Sequence, residues 1–167
     1  MLIRTAVEGD AEALLEIYNL EVLTSTVTMD LVPRDLDTQR RYLAERSGGL
    51  AVLVAEIDAG EGEGPEIVGF ASLSFYRDRP AYRTSVENSV YVHRGHQRRG
   101  VGSALLGALL ERASAHGFHA VFARIAGPQE ASLALHRAHG YELVGIEREV
   151  GRKFGQWHDV AVMQRLL

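Results

Sequence analysis

The sequence contains no cysteine, and this absence excludes several kinds of chemistry. Without thiols the protein has no disulfide bonds, no thiolate metal ligands and no cysteine that could carry an acyl group. An excess of positive charge is also missing, since 18 Lys and Arg stand against 22 Asp and Glu, for a formal net charge of −4. This balance argues against general nucleic-acid binding, which needs a strongly basic surface.

Long hydrophobic runs are missing as well. No stretch approaches the roughly 18 apolar residues that span a membrane, and the N-terminal MLIRTAVEGD turns acidic too early for a signal peptide. We therefore expect a cytoplasmic protein without a membrane partner. At roughly 150 residues per domain, the length of 167 residues predicts one domain over 1–167.

Helical and extended patterns follow one another in an irregular order. The hydrophobic spacing predicts strands near 2–6, 50–57, 67–76, 84–92, 118–125, 141–150 and 157–166. It predicts helices after an Asp10 N-cap, and over about 36–46, 101–116 and 129–139. The acidic, glycine-rich segment 58–66 predicts an exposed hairpin loop. This order indicates an α/β protein with a mixed sheet and helices on both of its faces.

A basic, glycine-containing turn joins a strand to a long helix in SVYVHRGHQRRGVGSALL, residues 89–106. Backbone N–H groups at such a helix start have no helical partner and form an anion cradle. A Walker A loop would need Lys and then Ser or Thr after Gly100, and a Rossmann loop would need glycine where Leu105 stands. What remains is Gln97-x-x-Gly100-x-Gly102, which taken alone could simply be a turn that begins a helix.

In this context the pattern resembles the acetyl-CoA loop of the GNAT acetyltransferase superfamily, and 132–141 resembles its second CoA-contacting helix. Four stretches resemble the phosphinothricin and methionine sulfoximine acetyltransferases: EIYNLEVLTSTVT (16–28), RDRPAYRTSVENSVYV (77–92), HQRRGVGSALL (96–106) and VGRKFGQWHDV (150–160). The resemblance implies a mostly antiparallel mixed sheet flanked by helices, with a splayed strand that forms the acetyl-CoA cleft. It also implies acetylation of the amine of a small amino acid that carries a tetrahedral acidic or sulfone-like side chain.

The same resemblance implies which residues bind acetyl-CoA. These are Val90, Tyr91, Val92, Arg98, Arg99, Gly100, Val101, Gly102, Ser103 and Gln129. Gln129 stands where the superfamily usually has asparagine. No metal is expected, because the histidines show no spacing typical of a metal site and no cysteine is available.

Glu87 is the candidate general base. A carboxylate within the apolar strand 84–92 is costly to bury without a function, although a glutamate at a sheet edge could also face water. An ammonium group with a pKa near that of lysine must lose a proton before its nitrogen attacks a thioester. The resemblance places the glutamate base of the phosphinothricin branch at Glu87.

His136 is the second catalytic candidate, since many GNAT enzymes have at this position a tyrosine that protonates the leaving thiolate. It could act as an acid, position a water or contact CoA, or it could be an ordinary packed histidine. Arg77, Arg79 and Tyr82 precede the Glu87 strand, where guanidinium groups offer bidentate recognition of a carboxylate or phosphinate. The resemblance makes these three residues the substrate-anion contacts; otherwise they form an exposed basic loop.

Trp157 and the C-terminal strand are apolar enough to predict ordinary core packing, although the resemblance places this region near a possible homodimer interface. Two other functions remain open. One is acetylation of another amine class, such as protein N-termini. The other is a non-catalytic acyl-CoA-binding module, which would not need a base at Glu87.

Overall fold

The computed structural model describes residues 1–58, 60, 64–127 and 129–167. Its strands are β1 (Leu2–Thr5), β2 (Leu53–Asp58), β3 (Pro65–Phe75), β4 (Ser85–Val92), β5 (Ala120–Ala126), β6 (Glu142–Lys153) and β7 (Gln156–Leu166). Its helices are α1 (Ala11–Thr24), α2 (Leu36–Ala44), α3 (Val101–Ala115) and α4 (Glu130–Ala138). This order of elements is the one that the sequence predicts.

The seven strands form one sheet in the order β1-β2-β3-β4-β5-β7-β6. The pair β4–β5 is parallel, and the other neighbouring strands are antiparallel. The predicted mixed, mostly antiparallel sheet is therefore confirmed. Segment 58–66 does connect the antiparallel strands β2 and β3, but Ala59 and residues 61–63 of this predicted loop lie outside the described residues.

Two hydrophobic layers cover the two faces of the sheet. Helix α3 packs against one face through a buried stripe at helical spacing, Val101, Leu105, Leu106, Leu109, Leu110 and Ala113. Helix α1 covers the other face, where Leu14 and Tyr18 pack near Val54 and Phe70. No helix among the described residues is long and apolar enough to cross a membrane.

Asp10 directly precedes α1, as predicted, but its side chain makes no capping hydrogen bond to the helix. A short 3-10 turn over Glu8–Asp10 precedes α1, so Asp10 already has helical backbone angles, whereas a capping residue is extended. Its carboxylate instead accepts hydrogen bonds from the Val7 N–H at 2.8 Å and from Arg4 Nη1 at 2.7 Å. The predicted cap therefore ties β1 to the turn before α1.

The predicted core position of Trp157 is wrong, because 60% of this residue is exposed. Trp157 pairs with Arg152 near the turn of the β6–β7 hairpin, whereas the buried residues of β7 are Val160 and Met163. Within the described chain no helix packs on the turn end of the hairpin. The apolar side chains there therefore remain exposed.

Strand β4 separates from β5 halfway along its length. The two strands pair only from Ser85 to Glu87, opposite Ala120 to Phe122, although both continue beyond this point. Strand β4 stays paired with β3 as far as Val92. The sheet therefore opens into a wedge after Glu87, which confirms the predicted splayed strand.

Candidate active site

A cleft of about 360 Å³ occupies the wedge between β4 and β5. Five of the residues predicted for the site line it: Glu87, Val90, Tyr91, Gln129 and His136. The segment between α1 and α2 covers part of the cleft through Val27, Thr28 and Met29. Residues far apart in the sequence thus meet where the sheet opens.

Glu87 lies at the last paired position of β4, beside the opening of the wedge. It shares a face of the strand with Tyr91, whose ring packs 5.1 Å from that of Tyr18 on α1. Burial raises the pKa of the Glu87 carboxyl, an effect that the nearby Arg124 guanidinium opposes and the Glu147 carboxylate reinforces. A carboxylate with a raised pKa beside a cleft is better suited to accept a proton near neutral pH.

Asn88 points to the opposite face and is at the centre of a closed hydrogen-bond network. The amide Nδ2 donates to His136 Nε2 at 3.0 Å, and Tyr141 donates its hydroxyl to Asn88 Oδ1 at 2.8 Å. The other ring nitrogen of His136, Nδ1, donates to the Ser132 carbonyl at 2.8 Å, which assigns the acceptor role to Nε2. Burial lowers the pKa of His136, so the ring is held neutral. These contacts fit a packed histidine that orients Asn88 at the cleft wall.

The turn before α3 has the backbone of an anion cradle. Gly100 has a φ of 83°, a left-handed conformation that glycine adopts without strain, and Arg98 has a φ of 60°. The first hydrogen bond of the helix runs from the Ala104 N–H to the Gly100 carbonyl at 3.0 Å. The N–H groups of residues 101–103 come before this bond and have no acceptor within the helix. Arg98 and Arg99 are exposed beside them.

This turn adjoins the cleft without lining it. A Cβ added at Gly102 would lie 3.4 Å from Leu135 of α4 and 3.6 Å from Val92 of β4. Ser103 makes a second link to α4, since its Oγ lies 2.9 Å from His139 Nε2. The Val101 side chain is buried in the core, so only its backbone can contribute to the anion cradle. The cradle, the end of β4 and α4 therefore form one continuous wall.

Arg77, Arg79 and Tyr82 lie in an exposed loop and are not among the residues that line the cleft. Arg77 stacks over Tyr76 at 5.0 Å, and Tyr76 stacks on Phe122 with ring centroids 4.1 Å apart. Phe122 pairs with Glu87 in the sheet. Stacked aromatic rings thus connect the loop to the strand pair that holds the candidate base.

Sequence reasoning missed Arg124, which lines the cleft and hydrogen-bonds Glu147 with Nη1 to Oε1 at 3.0 Å. It stands in the apolar strand AVFARIA (120–126), so the argument that singled out Glu87 would also have found it. Thr28 was missed too, and the irregular segment that contains it has no periodicity to reveal which way it faces. Gln129 Nε2 reaches Thr26 Oγ1 at 3.5 Å, which links α4 to the same segment.

Among the residues that the structure describes, Glu66, His93 and His96 bring possible metal-ligand atoms within 4.8 Å of one another. His96 Nε2 lies 3.4 Å from Glu66 Oε1, which makes an ion pair when the histidine is protonated. None of the three lines the cleft. The expectation that the reaction needs no metal stays a prediction.

Comparisons with known proteins agree with this geometry. Residues 14–141 match the Acetyltransferase (GNAT) family. A phosphinothricin N-acetyltransferase of Streptomyces coelicolor is 41% identical, over 99% of this chain and 95% of that protein. A methionine sulfoximine and methionine sulfone acetyltransferase of Pseudomonas aeruginosa is 39% identical, over 97% of this chain and 92% of that one.

Two solved structures have nearly the same fold. A phosphinothricin acetyltransferase of Sinorhizobium meliloti in complex with acetyl-CoA has a TM-score of 0.92 and 36% identity, over 99% of this chain and 88% of that chain. A ribosomal-protein-alanine N-acetyltransferase of Brucella melitensis has a TM-score of 0.93 and 39% identity, over 100% of both chains.

Proposed function

The chain belongs to the GNAT family of N-acetyltransferases, and we propose that it acetylates the amino group of a small amino acid from acetyl-CoA. The substrate side chain in this proposal ends in an acidic or sulfone-like group, as in phosphinothricin, methionine sulfoximine and methionine sulfone. The observation that carries the proposal is the half-buried Glu87 carboxylate, with its raised pKa, at the opening of the wedge. The names of the relatives above point to the same chemistry.

Acetyl-CoA would enter the wedge between β4 and β5. The backbone of Val90, Tyr91 and Val92 turns one edge toward β3 and leaves its other edge without a strand partner, free to bind the pantetheine arm. The turn from Arg98 to Ser103 would bind the pyrophosphate through its N–H groups and positive charges. Gln129 would contact the CoA arm from the start of α4. The acetyl-CoA complex of the Sinorhizobium relative supports this co-substrate.

Transfer would be direct, because the chain has no cysteine to carry the acetyl group. Glu87 takes a proton from the substrate ammonium, directly or through a water, and the free amine attacks the thioester carbonyl carbon. The tetrahedral intermediate collapses as the C–S bond breaks, giving the N-acetylated amino acid and the CoA thiolate. The attacking nitrogen gives up a second proton as the amide forms, the thiolate gains one, and the proton held by Glu87 passes to solvent, so the reaction releases one proton overall. In this scheme His136 acts by orienting Asn88 rather than by donating the proton that the thiolate gains.

Arg77, Arg79 and Tyr82 would bind the substrate's α-carboxylate. A guanidinium binds a carboxylate in a bidentate manner, which fixes orientation as well as charge. The stack of Arg77 on Tyr76, and of Tyr76 on Phe122, supports this role because it anchors the loop next to the strand pair that holds Glu87.

The test is release of free thiol from acetyl-CoA across a panel of amines. The panel contains phosphinothricin, methionine sulfoximine, methionine sulfone, common amino acids, polyamines and peptides with free N-termini. Turnover concentrated on the first three compounds is the expected result. Turnover on none of the amines, with tight CoA binding, would contradict the proposal and favour the non-catalytic module.

Acetylation of a protein N-terminus is the second candidate, because the similar Brucella structure carries that name. A cleft of about 360 Å³ is near the lower end of small-molecule pockets, which favours the amino-acid substrate. Turnover confined to peptides in the same panel would reverse this preference.

We also propose a homodimer formed through the outer part of β6 and β7. This region exposes several large apolar side chains, namely Leu143, Val144, Ile146, Val150, Phe154 and Trp157. Exposed apolar residues grouped in this way are typical of an interface. Sedimentation velocity should therefore give twice the mass of 18.4 kDa, and a monomer at micromolar concentration would contradict the dimer. The predicted cytoplasmic location and the lack of nucleic-acid and membrane partners complete this proposal.

A further inference from the structure

A second cavity, of about 210 Å³, adjoins the cleft on the Glu87 face of the sheet. It shares Thr28, Ser89 and Tyr91 with the cleft, so the two spaces are neighbours. At about 30 Å³ per water, the cavity has room for the end of a small side chain but not for a peptide.

Two guanidinium groups line this cavity. Arg34 lies over the Tyr18 ring at 3.9 Å and over the Tyr42 ring at 4.8 Å, and Arg46 lies 4.2 Å from the Tyr42 centroid. One carboxylate, that of Asp30, also lines the cavity, and it lies 3.8 Å from Arg34 Nη2. The cavity walls thus carry an excess of positive charge.

The polar groups around Arg34 are short of acceptors. Arg34 has five N–H donors, yet its side chain makes one hydrogen bond among the described residues, a long one of 3.3 Å from Nη1 to Gln39 Oε1. Gln39 is fully buried, and its Nε2 has no hydrogen-bond partner within the described chain. Gln39 does not line the cavity, so the spare donors that face it belong to the half-buried Arg34, and they suit an anionic or oxygen-rich ligand.

Arg46 is held more firmly. Its Nη1 donates to the Leu73 carbonyl at 2.5 Å, and its Nη2 donates to Ser74 Oγ at 3.1 Å. Tyr42 donates its hydroxyl to Ser72 Oγ at 2.9 Å. Arg46 and Tyr42 therefore form a rigid frame, and Arg34 is the guanidinium with donors to spare.

We propose that this cavity is the subsite for the distal acidic or sulfone-like group of the substrate side chain, bound chiefly by Arg34. The inference rests on the proposed amino-acid substrate and deepens it. Glu87 lines the cleft but not this cavity, whereas Arg34 and Arg46 line the cavity but not the cleft. The α-carboxylate is only one carbon from the reacting amine, and the distal group is the one that can reach Arg34.

The experiment compares Arg34→Gln and Arg34→Lys with Arg40→Gln as the matched control. Arg40 is an exposed arginine nearby on α2 that is not part of the cavity wall. For Arg34→Gln we expect KM for phosphinothricin to rise about 10- to 100-fold, the usual effect of losing a charge-assisted hydrogen bond. Arg34→Lys keeps the charge but loses the planar fork, and its KM should lie in between.

Two further readouts identify the group that is bound. The KM for acetyl-CoA should stay unchanged, and so should the KM, or the inhibition constant, of methionine, which has the α-carboxylate without a distal acid. An equal rise for methionine and phosphinothricin would overturn the proposal, because Arg34 would then bind the α-carboxylate or act through the fold. A rise no larger than that of Arg40→Gln would overturn it as well.

Failure of the proposed function can be recognised separately. If the wild-type protein acetylates no amino acid, calorimetric titration with phosphinothricin in the presence of CoA still tests the cavity. Binding to the wild type that is lost in Arg34→Gln would support the subsite. No binding to the wild type would overturn it.

Discussion

The two faces of β4 at the cleft differ in how their polar groups are satisfied. On the α3 side, Asn88 and His136 pair with each other and with neighbours, so the side-chain nitrogens and the amide oxygen have partners. On the α1 side, no described residue hydrogen-bonds the Glu87 carboxylate, and Arg34 has spare donors. Closed networks make a structure rigid, whereas buried groups without partners mark places where a ligand completes the set. We infer that one face supports acetyl-CoA while the other binds and deprotonates the amine.

Replacing the base is the strongest way to test this difference. Glu87→Gln should lower turnover by about 100-fold or more, because general base catalysis contributes that much. The wild-type rate should rise with pH as the carboxyl deprotonates, at a pKa above the ordinary value of 4.5, and the variant should lose this rise. Steady-state kinetics over a pH series would measure both effects.

Acetyl-CoA binding is the internal control for this variant. Its dissociation constant should remain within about two-fold of the wild type, since Glu87 faces away from the Asn88 side. Near-wild-type turnover in Glu87→Gln would remove the assignment of the base.

The opposite face should respond in stability rather than in chemistry. Asn88→Ala leaves the His136 Nε2 acceptor and the Tyr141 hydroxyl buried without their partner, and each such loss costs about 1–3 kcal/mol. We therefore expect the free energy of unfolding in urea to fall by about 2–6 kcal/mol. Ser103→Ala removes an exposed bond to His139 and should cost less than about 1 kcal/mol. Equal effects of the two variants would show that the Asn88 network is not a structural centre.

The two faces also differ in how much of them can be predicted from the sequence. The α3 stripe was predicted from its period, and Glu87 from the cost of a carboxylate in an apolar strand. Arg34 lies in the irregular segment between α1 and α2, where no period shows which cavity a side chain will reach. Trp157 was misplaced because apolar composition does not reveal whether a hairpin end is covered. Local patterns thus predict the scaffold and a candidate base, while the substrate side depends on tertiary packing.

The loop that precedes β4 offers a smaller test of the amine side. Arg77→Ala and Arg79→Ala should each raise KM for an amino-acid substrate by about 10-fold, since exposed guanidinium contacts contribute less than buried ones. The KM for acetyl-CoA should not change. Equal increases for both substrates would show that the loop maintains the fold of the cleft instead of binding the α-carboxylate.

The smallest expected effect is on stability, because the ionised Glu87 carboxylate lowers the free energy of unfolding. Burial raises the pKa of this carboxyl, so the folded protein holds the proton more tightly than the unfolded chain does. The contribution of Glu87 to stability is therefore greatest below pH 4.5, and it is lost as the pH rises through the folded-state pKa. Glu87→Gln removes this loss, so the variant should gain stability relative to the wild type as the pH rises above 4.5. Urea unfolding at several pH values should show a gain smaller than the cost of Asn88→Ala.

A difference that does not change with pH would mean that the Glu87 carboxylate is satisfied without a ligand, and the two faces would then be alike.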